Sequence, residues 1–384
     1  MSEMDYLIIG AGLSGSVIAR HLAEKGKSVT VIDRRDHIGG NMYDYRDEHG
    51  ILVQKYGPHT FHTNDKSLYE YMCRFEEWEP YRLTCGAEID GEFTPTPFNY
   101  KTIDMLYSSH DAAELKSRIE KYFGGRKTAT VVEVMESEDD MISGYGRLLF
   151  EKDYSLYTSK QWGISSEEVD VSVLKRVPLR FSYDEGYFDD TYQIMPKHSY
   201  TRFFENLLDH RNITVKLGVE ALNHIRVSED GESILIDGQK ATVPVVYTGA
   251  LDELFRADSG ALPYRSLRFE WRHEDNTQSI QPYPVTAYPQ RDGYTRITEY
   301  NKLPVQQTKG TTYAIEYPLQ YVPGEKQEPY YPLLTERSQS AAAKYKRRAD
   351  KIRDFYYCGR LADFKYYNMD QALERALDVA ASII

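Results

Sequence analysis

Six residues near the start, Gly10-Ala11-Gly12-Leu13-Ser14-Gly15, restrict this chain more than any other feature. They follow Tyr6-Leu7-Ile8-Ile9, a short apolar strand of the kind buried on both faces of a parallel sheet. They open a helical pattern from Ser14 to Lys25, with Val17, Ile18, His21 and Leu22 on one side. Each glycine has a mechanical task. Gly10 makes the tight turn, Gly12 admits a pyrophosphate close to the backbone, and Gly15 lets helix and strand pack closely. Ser14 stands in the first turn, whose unpaired N–H groups face the anion. A second strand, Ser28 to Asp33, ends on a carboxylate placed to bond a ribose hydroxyl. The spacing therefore predicts a Rossmann-like α/β unit that binds a dinucleotide; it does not separate FAD from NAD.

Two further patterns favour FAD. Gly39-Gly40-Asn41, beside Arg34 and Arg35, extends the phosphate-side loop. Near the other end Phe355-Tyr356-Tyr357-Cys358 reads as a strand ending at Gly359-Arg360, before a helix from Gln371 to Ile384. The start of that helix, about Met369-Asp370, would bring a second positive dipole end to the isoalloxazine. A chain that begins and ends in α/β pattern carries a discontinuous nucleotide domain with insertions. The insertions include a charged helical stretch, about Asp111 to Glu151, and short Tyr- and Thr-rich β stretches from Pro263 to Tyr331, expected as an antiparallel sheet.

The 384 residues carry 47 Lys+Arg against 59 Asp+Glu, a net charge of −12, which argues against a general nucleic-acid binder. Cys73, Cys85 and Cys358 give neither a disulfide framework nor metal spacing, so no metal is expected and a cytoplasmic setting is. The acidic N-terminus and its short apolar run argue against a secretory signal, and no stretch approaches the ~20 apolar residues of a membrane span. Gly57-Pro58-His59-Thr60-Phe61-His62-Thr63 places two histidines three residues apart in a Gly-Pro-led loop. Both are candidates to face one ligand, with packed or solvated histidines as the alternative.

Taken together, the motifs at Gly10–Gly15, Asp33, Gly39–Asn41 and Gly57–Thr63 resemble those of the bacterial UDP-galactopyranose mutase family. So do Tyr157-Thr158-Ser159-Lys160-Gln161-Trp162-Gly163, Lys175-Arg176-Val177-Pro178-Leu179-Arg180 and Tyr264-Arg265-Ser266-Leu267. Tyr294-Thr295-Arg296-Ile297-Thr298-Glu299, Glu328-Pro329-Tyr330-Tyr331-Pro332 and Lys365-Tyr366-Tyr367 follow in the family's order. The resemblance implies an FAD-binding domain (1–82, 193–250 and 345–384), a helical bundle (100–150), and an antiparallel sheet domain with a mobile loop (83–99, 151–192 and 251–344). It implies FAD, active when reduced, held by Gly10, Gly12, Ser14, Gly15, Asp33, Arg34, Gly40, Asn41, Gly359, Arg360 and Met369. The catalytic set it implies is Arg176 and Arg296, as pyrophosphate-binding arginines, with His59 and His62 near the flavin. Substrate contacts would include Phe98, Asn99, Tyr157, Trp162, Tyr187, Tyr331, Tyr366 and Asn368. The implied reaction is a redox-neutral conversion of UDP-galactopyranose to UDP-galactofuranose through a covalent flavin N5–sugar intermediate. The partner is a sugar nucleotide, with no nucleic acid and no membrane, and a homodimer is the candidate assembly. Arginine suits its implied task, because its planar fork matches phosphate oxygens and keeps its charge.

The chain departs from the family pattern at His198-Ser199, at Asn301-Lys302 and at Asn368. The last two alter charge near the expected pocket and bear on which sugar is used, with UDP-N-acetylgalactosamine and dTDP-fucose as alternatives. Readings of another class are an amine-oxidase-like flavin oxidoreductase and a flavin-free binding protein on the same scaffold.

Overall fold

A computed structural model describes residues 4–163, 178–325 and 327–383. The chain divides into two units, one of Met1–Pro80, Asp190–Ser266 and Tyr321–Ile384, the other of Tyr81–Asp189 and Leu267–Gln320.

In the first unit five strands lie side by side, all parallel: Ile213–Lys216, Val29–Ile32, Tyr6–Ile9, Val245–Tyr247 and Phe355–Tyr357. Their apolar runs are explained by burial on both faces; Ile8, Val31 and Val246 are fully buried. Ile9 pairs with Ile32 on one side and Tyr247 on the other. The chain therefore leaves the sheet at Gly10 where the strand order changes direction, the crevice in which such sheets bind ligands. The helix Leu13–Glu24 runs back over the sheet with Val17, Ile18 and Leu22 buried. The last helix, Met369–Ile383, packs on it through Leu373, Ala376 and Ala380. It starts two residues before the expected Gln371, because the Asn368 carbonyl already accepts the Ala372 N–H. A smaller antiparallel sheet of Phe61–Thr63, Tyr192–Pro196 and Trp78–Pro80 completes this part.

The second unit joins helices and a sheet around one core. Ala87 and Ile89 from the sheet share it with Ile103, Leu115, Ile119, Ile142 and Leu149 from the helices Tyr100–Leu106, Ser109–Tyr122 and Asp140–Leu149. The sheet runs Tyr264–Glu274 (in this unit from Leu267 on), Thr311–Gln320, Arg296–Glu299, Val285–Ala287, Cys85–Ile89 and Glu92–Thr96, and the first-unit end of its first strand pairs with Tyr331–Pro332. It is mixed rather than wholly antiparallel: Val285–Ala287 pairs in parallel with Cys85–Ile89. The sheet and the helical stretch thus form one unit, where the sequence reading divided them. Residues 251–266 and 321–344, expected with the sheet, belong to the first unit. Their apolar residues explain this, since Leu254, Phe255, Leu262, Tyr264 and Ala342 share one core with Val245 and Tyr247. Among the described residues no helix is long and apolar enough to cross a membrane.

Candidate functional site

The first unit holds a cavity at the crevice, and all eleven residues expected at the cofactor line it. Two glycines there are sterically required. At Gly15 a Cβ would come within 1.9 Å of the Gly10 carbonyl oxygen, so no side chain fits between helix and strand. Gly10 has φ +111°, and a Cβ there would meet Thr248 Oγ1 at 1.9 Å. Gly12 differs: the nearest atom to an added Cβ is Gly40 Cα at 3.6 Å. Its bareness therefore serves the cavity it lines, where backbone and ligand approach. The helix after it has no side-chain cap and no acidic residue in its first turn. Its leading N–H groups are donors suited to a pyrophosphate.

Asp33 is positioned by two backbone bonds, Ala11 N–H to Oδ2 at 2.7 Å and Arg35 N–H to Oδ1 at 2.9 Å. A carboxylate accepts about four hydrogen bonds, so capacity remains for ribose hydroxyls. Gly39 N–H donates to the Ala11 carbonyl at 2.8 Å, which lays the second glycine loop against the first. Arg34 and Arg35 both reach Glu328, at 2.6 and 2.8 Å, and Arg35 also donates to Asn41 Oδ1 at 2.9 Å. Burial alone would push the Glu328 carboxyl up, but the two guanidiniums hold it below the usual carboxylate range. Arg34 thus lines the cavity as half of an ion pair. Glu328 lies in the Glu328–Pro332 motif, yet the sequence gives no sign of this role, because its partners are about 290 residues away.

At the other end of the cavity Gly359 N–H donates to buried Asp363 at 3.1 Å, which also accepts the Tyr367 hydroxyl and pairs with Arg375. Arg360 donates to the carbonyls of Tyr330 and Tyr367. Asn368 and Met369 bring the start of the last helix to the same cavity. Two helix N-termini and a glycine cradle on one cavity fit a dinucleotide whose second half is also electron-rich. His59 lines the cavity, its Nδ1 on the Gly57 carbonyl at 2.9 Å. His62 does not; it is buried in its strand and bonded to Asp190 at 2.8 Å, so the two histidines face different ways. Alternation along Phe61–Thr63 is not the cause, since His59 precedes the strand. Tyr331 and Tyr366 stack at 5.9 Å, and the Arg360 guanidinium lies 5.4 Å from each ring.

In the second unit Arg296 opens the strand Arg296–Glu299 and stands directly opposite Glu316. Its Nε donates to Glu316 Oε2 at 2.7 Å, and the carboxylate is 1% exposed. Tyr157 is half-buried on the helix Ser155–Trp162, and half-buried Tyr187 meets Phe188 edge-on. Phe98 and Asn99, expected at substrate, have structural tasks. Phe98 is buried in the helical core, and Asn99 caps the helix Tyr100–Leu106, its own N–H donating in return to Thr102 Oγ1 at 3.1 Å. Arg176 and the Trp162 side chain lie outside the described residues. The departures resolve in part. Ser199 caps the helix Tyr200–Leu208 and His198 pairs with Glu76. Asn301 donates to the Gln278 carbonyl and accepts from Thr311, while Lys302 pairs with buried Glu299. Both residues of that change are thus engaged within the sheet and its turns. Asn368 alone lines the cavity.

Two family models match the chain, one described as UDP-galactopyranose mutase over residues 152–366 and one as an NAD(P)-binding Rossmann-like domain over 8–75. A protein named probable UDP-galactopyranose mutase from Klebsiella pneumoniae is 35% identical over 99% of this chain and 94% of its own. A UDP-galactopyranose mutase from Mycoplasma pneumoniae is 34% identical over 100% of this chain and 97% of its own. A dTDP-fucopyranose mutase from Escherichia coli is 34% identical over 97% of both. The crystal structure of a reduced UDP-galactopyranose mutase superposes with a TM-score of 0.74, at 15% identity, over 100% of this chain and 94% of that one, a likeness of fold.

Proposed function

The chain belongs to the UDP-galactopyranose mutase family, and from that premise we propose that it interconverts UDP-galactopyranose and UDP-galactofuranose with reduced FAD as cofactor. The observation that carries the reading is the convergence of the glycine turn, Asp33 and two helix N-termini on one cavity. The second glycine loop and the start of the last helix on that cavity support FAD rather than NAD.

When bound, the reduced flavin supplies a nucleophilic nitrogen for the anomeric carbon, with no net oxidation. The chain's own residues bind and orient. The uncapped helix start holds the cofactor's pyrophosphate and Asp33 its ribose. Arg296 takes the substrate diphosphate and balances the charge that collects on it as it departs. Glu316 fixes the plane of that guanidinium. Arg176 is the second diphosphate ligand. Tyr157 and Trp162 take the uridine side, while Tyr187, Tyr331 and Tyr366 direct hydroxyls at phosphate oxygens. His59 bounds the cavity, and His62 supports its loop through Asp190. The reading includes a cytoplasmic location, which the sparse cysteines support, and a homodimer, which a light-scattering mass tests.

A second sugar is favoured by one observation: Asn368, the departure that lines the cavity, accompanies equal likeness to a dTDP-fucopyranose mutase. The test is to purify the protein, record its visible spectrum, reduce it with dithionite and supply each sugar nucleotide in turn. A yellow protein that forms UDP-galactofuranose many times per flavin supports the first reading. Turnover of dTDP-fucopyranose alone supports the second. A colourless protein, or equal turnover when kept oxidised, overturns the flavin mechanism.

A further inference from the structure

Lys160 lies one turn after Tyr157 on the helix Ser155–Trp162, a spacing that places both on one helix face. Its Nζ donates to three main-chain carbonyls, of Tyr288 at 2.6 Å, Arg291 at 2.7 Å and Tyr294 at 2.9 Å. Three bonds use every proton of an ammonium group. The three carbonyls belong to one connection, between the strands Val285–Ala287 and Arg296–Glu299. That connection is stiff in its own right. Tyr288 N–H donates to the Thr295 carbonyl at 2.8 Å, and Arg291 pairs with Glu88 at 2.6 Å. Two residues beyond Tyr294 stands Arg296, whose outward reach Glu316 limits.

We propose that Lys160 is a positioning residue that sets the spacing between the base-binding end of the substrate site, at Tyr157, and its diphosphate-binding end, at Arg296. The inference rests on the roles given to those two residues under the proposed function. A helix and a strand terminus that each bind one end of a nucleoside diphosphate gain from both contacts only when their separation matches the ligand. A lysine whose three protons are held by one turn fixes that separation from the helix side, and no apolar residue of the same length does so. The half-buried site has a cost: burial pushes the Lys160 ammonium down to about 8, against the pull of Asp292 and Asp153. The three carbonyls are the hydrogen-bond partners that this half-buried ammonium has in place of water.

The test uses the holoenzyme and competitive inhibition by three probes: uridine, inorganic pyrophosphate and UDP. In Lys160→Met the inhibition constant for UDP should rise about tenfold. Those for uridine and pyrophosphate, which each need one end, should change less than about threefold. KM for the sugar nucleotide should rise with UDP while kcat changes less, since spacing affects bound substrate and transition state alike. Lys160→Gln, which retains two donors, should fall between and covers the case in which the methionine variant does not fold. Unchanged UDP inhibition, or uridine weakened as much as UDP, overturns the proposal, because local unfolding would remove the uridine contact too. Tyr157→Ala and Arg296→Ala serve as controls. If neither weakens UDP, the assigned roles fail; if both do and the Lys160 variants do not, the spacing role alone fails.

Discussion

Glu316 and Arg296 face each other across two antiparallel strands, and the buried carboxylate takes the Nε–H of the guanidinium at 2.7 Å. Its second oxygen accepts the Thr298 hydroxyl at 3.1 Å, so the carboxylate itself cannot rotate freely. An arginine held by Nε has its plane fixed, which is the condition for presenting a fork to phosphate. Glu316→Ala should lower kcat/KM by about ten- to a hundredfold, since a hydrogen bond to a charged group is worth ~1.5–3 kcal/mol. Glu316→Gln keeps an acceptor of the same shape and should lose less than about fivefold. Steady-state kinetics, with flavin content as the control, decides it. If glutamine is as damaging as alanine, charge rather than orientation matters at this position.

The glycine turn gives a paired prediction. Gly15→Ala would place a methyl 1.9 Å from the Gly10 carbonyl oxygen, a backbone clash that only a shift of the turn itself could relieve. It should unfold or strongly destabilise the first unit. Gly12→Ala meets its nearest protein atom at 3.6 Å, ordinary contact, with φ −80°. Its thermal stability without cofactor should stay within about 1 kcal/mol, the usual range for a changed helix cap, while flavin is lost. Visible absorbance and a melting curve on each variant suffice. A yellow Gly12→Ala protein would show that the ligand does not approach that face.

The cofactor cavity was legible in the sequence because its parts are local. Gly10, Gly15 and Asp33 follow from what a strand, a turn and a helix require within some two dozen residues. The start of the last helix could be read for the same reason. What was not legible depends on partners far along the chain. The parallel pairing of Val285–Ala287 with Cys85–Ile89 joins segments 200 residues apart, with no pattern in either to announce it. Phe98 and Asn99 are ordinary in sequence, and only the fold shows one in a core and the other on a helix cap. Glu316 sits among Ala-Ile-Glu-Tyr, where a strand glutamate reads as a solvent-facing charge. Lys160 lies inside the Tyr157–Gly163 motif, but its partners are carbonyls, which no side-chain pattern records.

Asp153 offers a pH test in the second unit. It is buried in the turn of wider helix Phe150–Tyr154, and burial raises its carboxyl to about 7, with Lys160 pulling the other way. A carboxyl raised on folding binds more protons in the folded state. Its contribution is therefore full below the unfolded value, near 4, and is lost as pH rises through about 7. Asn cannot ionise, so Asp153→Asn should be slightly stabilising at pH 4.5 and more strongly so at pH 8. The difference should be on the order of 2–4 kcal/mol, from a shift of roughly three units at 1.36 kcal/mol each. Denaturant melts of both proteins at the two pH values measure it. Equal stability differences at both would mean that Asp153 stays ionised throughout.

Asn368 is the departure that lines the cofactor cavity, at the start of the helix Met369–Ile383. Its backbone is engaged on both sides, the N–H with Gln371 Oε1 at 3.0 Å and the carbonyl with Ala372 N–H at 3.0 Å. A substitution at this position therefore changes the side chain without moving the helix start. Asn368→Asp removes an amide donor and adds a negative charge. The helix dipole favours that charge by ~0.3–1 kcal/mol, so stability and flavin content should hold or rise slightly. The sugar is where the change should register. A donor lost opposite a substrate oxygen costs ~1–3 kcal/mol, and a sugar without that oxygen loses nothing. The ratio of kcat/KM for UDP-galactopyranose to that for dTDP-fucopyranose should shift about tenfold, which is ~1.4 kcal/mol. The measurement is that ratio in both proteins under reducing conditions. An unchanged ratio would place sugar choice elsewhere and leave Asn368 a cofactor contact alone.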